Sequence, residues 1–151
     1  MFKKPPVRHI LVLVDSTETS ARAVDLAGAL ARALHARLTG IVIIETETLH
    51  QLLSAKVLTD AEVGDFEAGL RESAARQLEA AQAMARGHGA AMETAILAGN
   101  SEVVVPQEIA SRGVDLIVMG GFDSSQVRFE LLFRQRQQIA DHAPCPVLIA
   151  R

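Results

Sequence analysis

Four short segments of the chain carry groups that could hold a ligand: Asp15-Ser16-Thr17, Glu45-Thr46, Ala98-Gly99-Asn100, and Gly120-Gly121-Phe122-Asp123-Ser124-Ser125. An acid such as Asp15 can accept a hydrogen bond from a ribose or a base, or it can serve as the turn or cap acid where a strand gives way to a helix. Gly120 and Gly121 can let backbone N–H groups approach a phosphate. Equally, the two glycines can form a tight turn that needs positive φ. Arg128, Arg134 and Arg136 follow closely and could supply cation contacts to an anion. On a helix, such charges are expected to form a solvated face.

Each segment follows an apolar run, and these runs define the elements that must position it. Ile10 to Val14 is uninterrupted, as suits a strand covered on both faces of a parallel sheet. Ser16, Thr17 and Thr19 offer helix caps, and Ala23, Val24, Ala27, Leu30, Ala31 and Leu34 follow at helical spacing. Leu38 to Ile44 reads as a second strand. Glu45 to Thr59 lacks a clear period and reads as a loop with at most a helical turn. A long helix is predicted from Asp60 to Arg86, ended by Gly87 and Gly89. Met92 to Leu97 is a third, less apolar strand, expected near an edge.

Gly99-Asn100-Ser101 opens a short helix to Arg112. Pro106 removes a backbone donor there, so a late start with Pro106 in the first turn is expected. Val114 to Met119 is a fourth strand. Phe129, Leu132, Phe133, Ile139 and Ala140 mark a last helix, and Val147 to Ala150 a fifth strand. The alternation of strand and helix predicts an α/β fold with a doubly wound parallel sheet, built with right-handed crossovers as one domain spanning 1–151. In such sheets ligands bind beyond the carboxyl ends of the strands, at the switch in strand order. The first and last of the four segments should flank that crevice.

Composition narrows the chemistry. Of the 151 residues 49% are hydrophobic but only 3% aromatic, so the core must be made of Ala, Val, Leu and Ile. A net charge of -3 and the lack of stacking aromatics argue against nucleic acid. Cys145 is the single cysteine, which excludes an internal disulfide and reads as a small packed residue. No segment reads as a signal peptide or approaches the ~20 apolar residues of a membrane span, so a cytoplasmic, membrane-free protein is expected. His9, His35, His50, His88 and His142 are scattered without metal-ligand spacing, and no G-x-S-x-G elbow is present.

The segments Leu11-Val12-Leu13-Val14-Asp15-Ser16, Leu38-Thr39-Gly40, Val114 to Gly120 and His142-Ala143-Pro144-Cys145-Pro146-Val147-Leu148-Ile149 together resemble the universal stress protein family. Gly99-Asn100-Ser101-Glu102 is similar to that family's Gly-Asp-Pro-Ala-Glu turn. The resemblance runs over essentially the whole chain. It implies an adenine nucleotide alpha hydrolase-like, flavodoxin-like three-layer sandwich with five strands in the order 3-2-1-4-5. It also implies dimerisation through the terminal strand, Val147 to Ala150, and a role in stress survival. Asp15 matches the family acid that contacts the nucleoside, and Ile43 the strand-two position whose backbone meets adenine.

Many relatives bind ATP through G-x2-G-x9-G-S/T after the fourth strand. Gly120 matches the first glycine, but Asp123, Phe133 and Arg134 stand where the second glycine, the third glycine and the hydroxyl residue belong. Asp123 would repel phosphate charge, and Phe133 would put a ring where backbone should approach closely. Other families fit less well. The segment from Gly120 imitates the S-G-G-x-D-S loop of N-type ATP pyrophosphatases, but it follows the fourth strand rather than the first. A phospho-receiver lacks its aspartate after strand three and its lysine after strand five. A Rossmann domain lacks G-x-G-x-x-G after strand one. The expected protein is a non-enzymatic regulatory homodimer with an unknown protein partner and no cofactor. The alternative is an ATP or AMP sensor using Asp15, Ile43, Gly120 and Gly121.

Overall fold

The computed structural model describes residues 6–121 and 130–151. Its elements are β1 (His9–Leu13), α1 (Glu18–Leu34), β2 (Arg37–Ile44), α2 (Thr46–Ser54), α3 (Asp60–Gly87), β3 (Met92–Ala98), α4 (Ser101–Arg112), β4 (Leu116–Gly120), α5 (Glu130–His142) and β5 (Val147–Ala150). The five strands form one sheet in the order β3-β2-β1-β4-β5, and every neighbouring pair is parallel. The doubly wound sheet and its strand order are therefore as expected, with β3 at one edge and β5 at the other.

The apolar run of β1 works on both faces because successive side chains point to opposite sides. Ile10 and Val12 enter a core with Ala23, Val24 and Ala27 of α1 and Ala74, Leu78, Ala81 and Ala85 of α3. Leu11 and Leu13 enter a second core with Val105 and Ile109 of α4 and Ile139 of α5. Small residues set the spacing on the first face. A Cβ added at Gly28 of α1 would lie 3.2 Å from the His88 ring and 3.3 Å from the Ala85 backbone. Helices so close leave room for alanine and little else, which explains a core with few aromatics.

Side-chain caps fix three helix starts. Thr17 Oγ1 accepts from Ser20 N at 3.1 Å, Thr59 Oγ1 from Glu62 N at 3.3 Å, and Asn100 Oδ1 from Glu102 N at 2.8 Å. The Asn100 cap bears on one correction: α4 begins at Ser101, so Pro106 lies in its interior rather than in its first turn. Its missing N–H removes one bond to the Glu102 carbonyl, and the capped first turn holds the start regardless.

The segment from Glu45 to Thr59 is a second correction, since it contains helix α2. Leu49 is buried, Leu52 and Leu53 are half-buried, and Lys56 ends the turn in the left-handed region at φ 58°. Nine residues hold too few apolar positions for a period to show in the sequence. Cys145 is half-buried against the second core, and burial, helped by the Asp115 carboxylate, pushes its thiol above the ordinary range. Among the described residues no helix is long and apolar enough to cross a membrane.

Ile117 of β4 is fully buried in the second core. Ile117→Ala should therefore cost about 2–5 kcal/mol in urea unfolding with an unchanged m-value. A loss below about 1 kcal/mol would mean that this face of the sheet is not packed as described.

Candidate functional site

β1 ends one residue before Val14, whose N–H donates to the Ile41 carbonyl at 2.8 Å, and the chain then turns outward at Asp15. Its backbone N–H donates to Ser20 Oγ at 2.9 Å, and Ser20 Oγ in turn donates to the Leu13 carbonyl at 3.3 Å. The start of α1 thus stitches the turn to the end of β1. Asp15 Oδ1 accepts from the Thr17 N–H at 2.8 Å and the Thr17 hydroxyl at 2.6 Å. To this extent Asp15 is a turn acid, and its other oxygen, Oδ2, faces the crevice between β1 and β4.

That oxygen is taken. Arg136 of α5 donates from Nη2 to Asp15 Oδ2 at 2.7 Å and to Thr17 Oγ1 at 2.5 Å. From Nη1 it donates to Thr19 Oγ1 and to the Gly121 carbonyl, both at 2.9 Å. Its guanidinium also lies over the half-buried Phe133 ring, 5.3 Å from the centroid. The Arg136 side chain is 1% exposed and that of Asp15 16%. Arg136 is thus not part of a solvated helix face, which corrects the expectation for it. Four of its five donors are used. The fifth, at Nε, is buried with no acceptor among the described residues, a cost of ~1–3 kcal/mol set against the ion pair.

The tight turn with positive φ is not what the two glycines form. Neither Gly120 nor Gly121 has positive φ, which among the described glycines belongs to Gly89, Gly99 and Gly113. Gly120 is required by close approach, since an added Cβ would stand 2.6 Å from Thr19 Oγ1 and 2.7 Å from its carbonyl carbon. The Gly121 N–H donates to the Ala150 carbonyl at 2.6 Å, so β5 engages the donor a phosphate would need. Ile43 pairs with Leu97 of β3 in register. Because Ile41 directs its carbonyl toward β1, strand alternation turns the Ile43 N–H and C=O the same way, past the end of β1 and into the crevice.

A second contact of α5 crosses the crevice. Gln135 Nε2 donates to Glu45 Oε1 at 3.0 Å, and the Ser101 N–H reaches the same oxygen at 3.4 Å. Asn100 Nδ2 donates to Glu47 Oε2 at 3.0 Å. The four sequence segments are therefore joined in two pairs: Asp15 with Gly121 through Arg136, and Glu45 with the start of α4. Arg134 is exposed on α5. Asp123 and Arg128 lie outside the described residues, as does Phe129. Among the described residues, no three His, Cys, Asp or Glu side chains gather as metal ligands would. At the far end of the sheet, the Arg37 guanidinium, 3.0 Å from Glu93, holds that carboxyl below the usual range.

The sequence matches the profile of the universal stress protein family over residues 6–151. The chain belongs to that family. Among its relatives, a Staphylococcus haemolyticus protein assigned to the universal stress proteins is 30% identical over 146 residues, 95% of this chain and 84% of that one. A Burkholderia pseudomallei family member has a solved structure with a TM-score of 0.72 at 24% identity, covering 97% of each chain. An Archaeoglobus fulgidus universal stress protein in complex with dAMP gives 0.66 at 17% identity, over 95% of this chain and 98% of that one. At such identities these structures speak for the fold alone.

Sequence reasoning picked out Asp15, Gly120 and Gly121 but missed Arg136, Thr17 and Thr19 as a unit. Phe133, Arg136 and Ile139 or Ala140 recur at intervals of three or four, which sets Arg136 on the inward stripe of α5. A charge on such a stripe was the available signal.

The unequal burial of the two charges has a measurable result. Asp15→Ala should cost about 3–5 kcal/mol because it strands a cation that water does not reach. Arg136→Met should cost less, because Asp15 keeps its Thr17 bonds and part of its solvation. Urea unfolding of both variants and of the double variant measures this. A larger loss for Arg136→Met would contradict the described burial.

Proposed function

We propose that this universal stress protein is a regulatory homodimer of the stress response, working through protein contacts and without the ATP binding typical of its relatives. The observation that carries this reading is the Arg136 guanidinium seated between Asp15 and Gly121. A ribose hydroxyl seeking Asp15 Oδ2 would have to replace a charge-assisted bond with a weaker neutral one. A phosphate seeking the Gly121 N–H would have to displace the carbonyl of Ala150. The Asp15 carboxylate and the Thr17 and Thr19 hydroxyls are bound to Arg136 rather than arranged as a base and nucleophile, which supports a non-enzymatic role.

The dimer reading rests on β5. It is an edge strand of four residues, and Leu148 and Ile149 remain 36% and 39% exposed. Pairing of Val147 to Ala150 with the same strand of a second copy would cover these side chains and the unpaired edge. We place the protein in the cytoplasm, as one domain spanning 1–151, with a further protein as its partner.

A second reading has its own support. The Ile43 peptide groups face the crevice, and the Archaeoglobus fulgidus relative was solved with dAMP. An adenine-nucleotide sensor using Asp15, Ile43 and Gly120 would bind AMP or ATP there.

Calorimetric titration separates the two readings. The wild-type protein should give no saturable heat with ATP or AMP up to about 1 mM, a Kd limit near 4 kcal/mol of binding. Micromolar binding that weakens in Asp15→Ala would establish the sensor instead. Light scattering should return twice the 16.2 kDa chain mass, falling to the monomer in Leu148→Arg. A wild-type monomer at high micromolar concentration would remove the dimer.

A further inference from the structure

We infer that Arg136 is a built-in occupant of the nucleotide crevice, and that this one side chain, more than the lost glycines, determines that nucleotides are refused. The inference deepens the proposed function and rests on it.

Three observations place the guanidinium where a ligand would sit. It touches the turn after β1 through Asp15 and Thr17, the start of α1 through Thr19, and the end of β4 through Gly121. These are the two strand ends at the switch in strand order, where β1 is flanked by β2 on one side and β4 on the other. The side chain is almost wholly buried, so it fills space rather than lining it. Its planar face is backed by Phe133, three residues earlier on the same helix, which fixes its approach.

The occupant is incompletely satisfied. Its Nε–H is buried without an acceptor among the described residues, whereas Asp15 Oδ2, the Thr17 and Thr19 hydroxyls and the Gly121 carbonyl all accept from the guanidinium. Removing the side chain would therefore free one carboxylate oxygen, two hydroxyls and one carbonyl that already converge on a single volume. Together with the Ile43 peptide groups, they offer acceptors and, from Thr19, a hydroxyl donor, groups of the kind that hold a ribose and a base edge, while the Thr17 hydroxyl keeps its bond to Asp15 Oδ1. A monophosphate would suit this opening better than a triphosphate, because the Gly121 N–H remains committed to Ala150.

The test is calorimetric titration of AMP into wild type, Arg136→Ser and Arg136→Lys, each first shown to be folded by circular dichroism. Wild type should be silent, the serine variant should bind at least about tenfold more tightly than the detection limit, and the lysine variant should stay silent because it keeps a cation at Asp15. Millimolar methylguanidinium should compete with AMP in the serine variant, since both would occupy the volume vacated by Arg136. If the serine variant does not fold, Arg136→Gln takes its place, keeping a donor for Asp15 without the charge, and it should bind AMP measurably where wild type is silent. AMP binding by wild type would sink the proposed function. A silent wild type with a folded yet silent serine or glutamine variant would overturn this inference alone, as would a lysine variant that binds as well as the serine variant.

Discussion

A guanidinium sealed from water has few places to go, and the crevice of this protein is organised around the one place chosen. Arg136 needs a negative partner because an unpaired buried cation costs several kcal/mol. Asp15 supplies it at 2.7 Å, and the Thr17 and Thr19 hydroxyls and the Gly121 carbonyl supply the remaining acceptors. Each of those groups is positioned by something else. Thr17 caps α1, Thr19 stands in its first turn, Asp15 is held by Ser20, and Gly121 is held by β5. The ion pair therefore draws together the ends of two strands and the faces of two helices. It lies at the crevice where an open α/β sheet ordinarily holds a ligand.

Asp123 and Phe133 stand where the family's glycine pattern expects glycine. Phe133 has found a use beneath the guanidinium. Gly120 is required sterically, since Thr19 leaves no room for a side chain. A glycine and an acid at these positions match part of a nucleotide-binding pattern, and both also make structural contacts, Asp15 with Arg136 and Gly120 with Thr19.

Much of the fold was legible because burial writes a simple pattern. The run from Ile10 to Val14 had to be covered on both faces, and it is. The less apolar Met92 to Leu97 had to lie toward an edge, and β3 does. Helix α2 was illegible because its single face of Leu49, Leu52 and Leu53 is too short to set a period. The start of α4 was misjudged because Pro106 was weighed without the Asn100 cap that outweighs it. The site was legible in part. Asp15 and the glycines announce themselves by following apolar strands. Arg136 does not, because its charge argues for solvent and only its spacing from Phe133 and Ile139 argues for the interior. The contest between those two signals is settled by Asp15, which lies 121 residues away along the chain.

Gly121 is held from both sides, its N–H by Ala150 of the edge strand and its carbonyl by Arg136. Strand and crevice are thus joined by a strut one residue long. A load applied to the rim of the sheet, whether from a neighbour adding itself there or from the tail being pulled away, has a path of two hydrogen bonds through a single residue to the guanidinium.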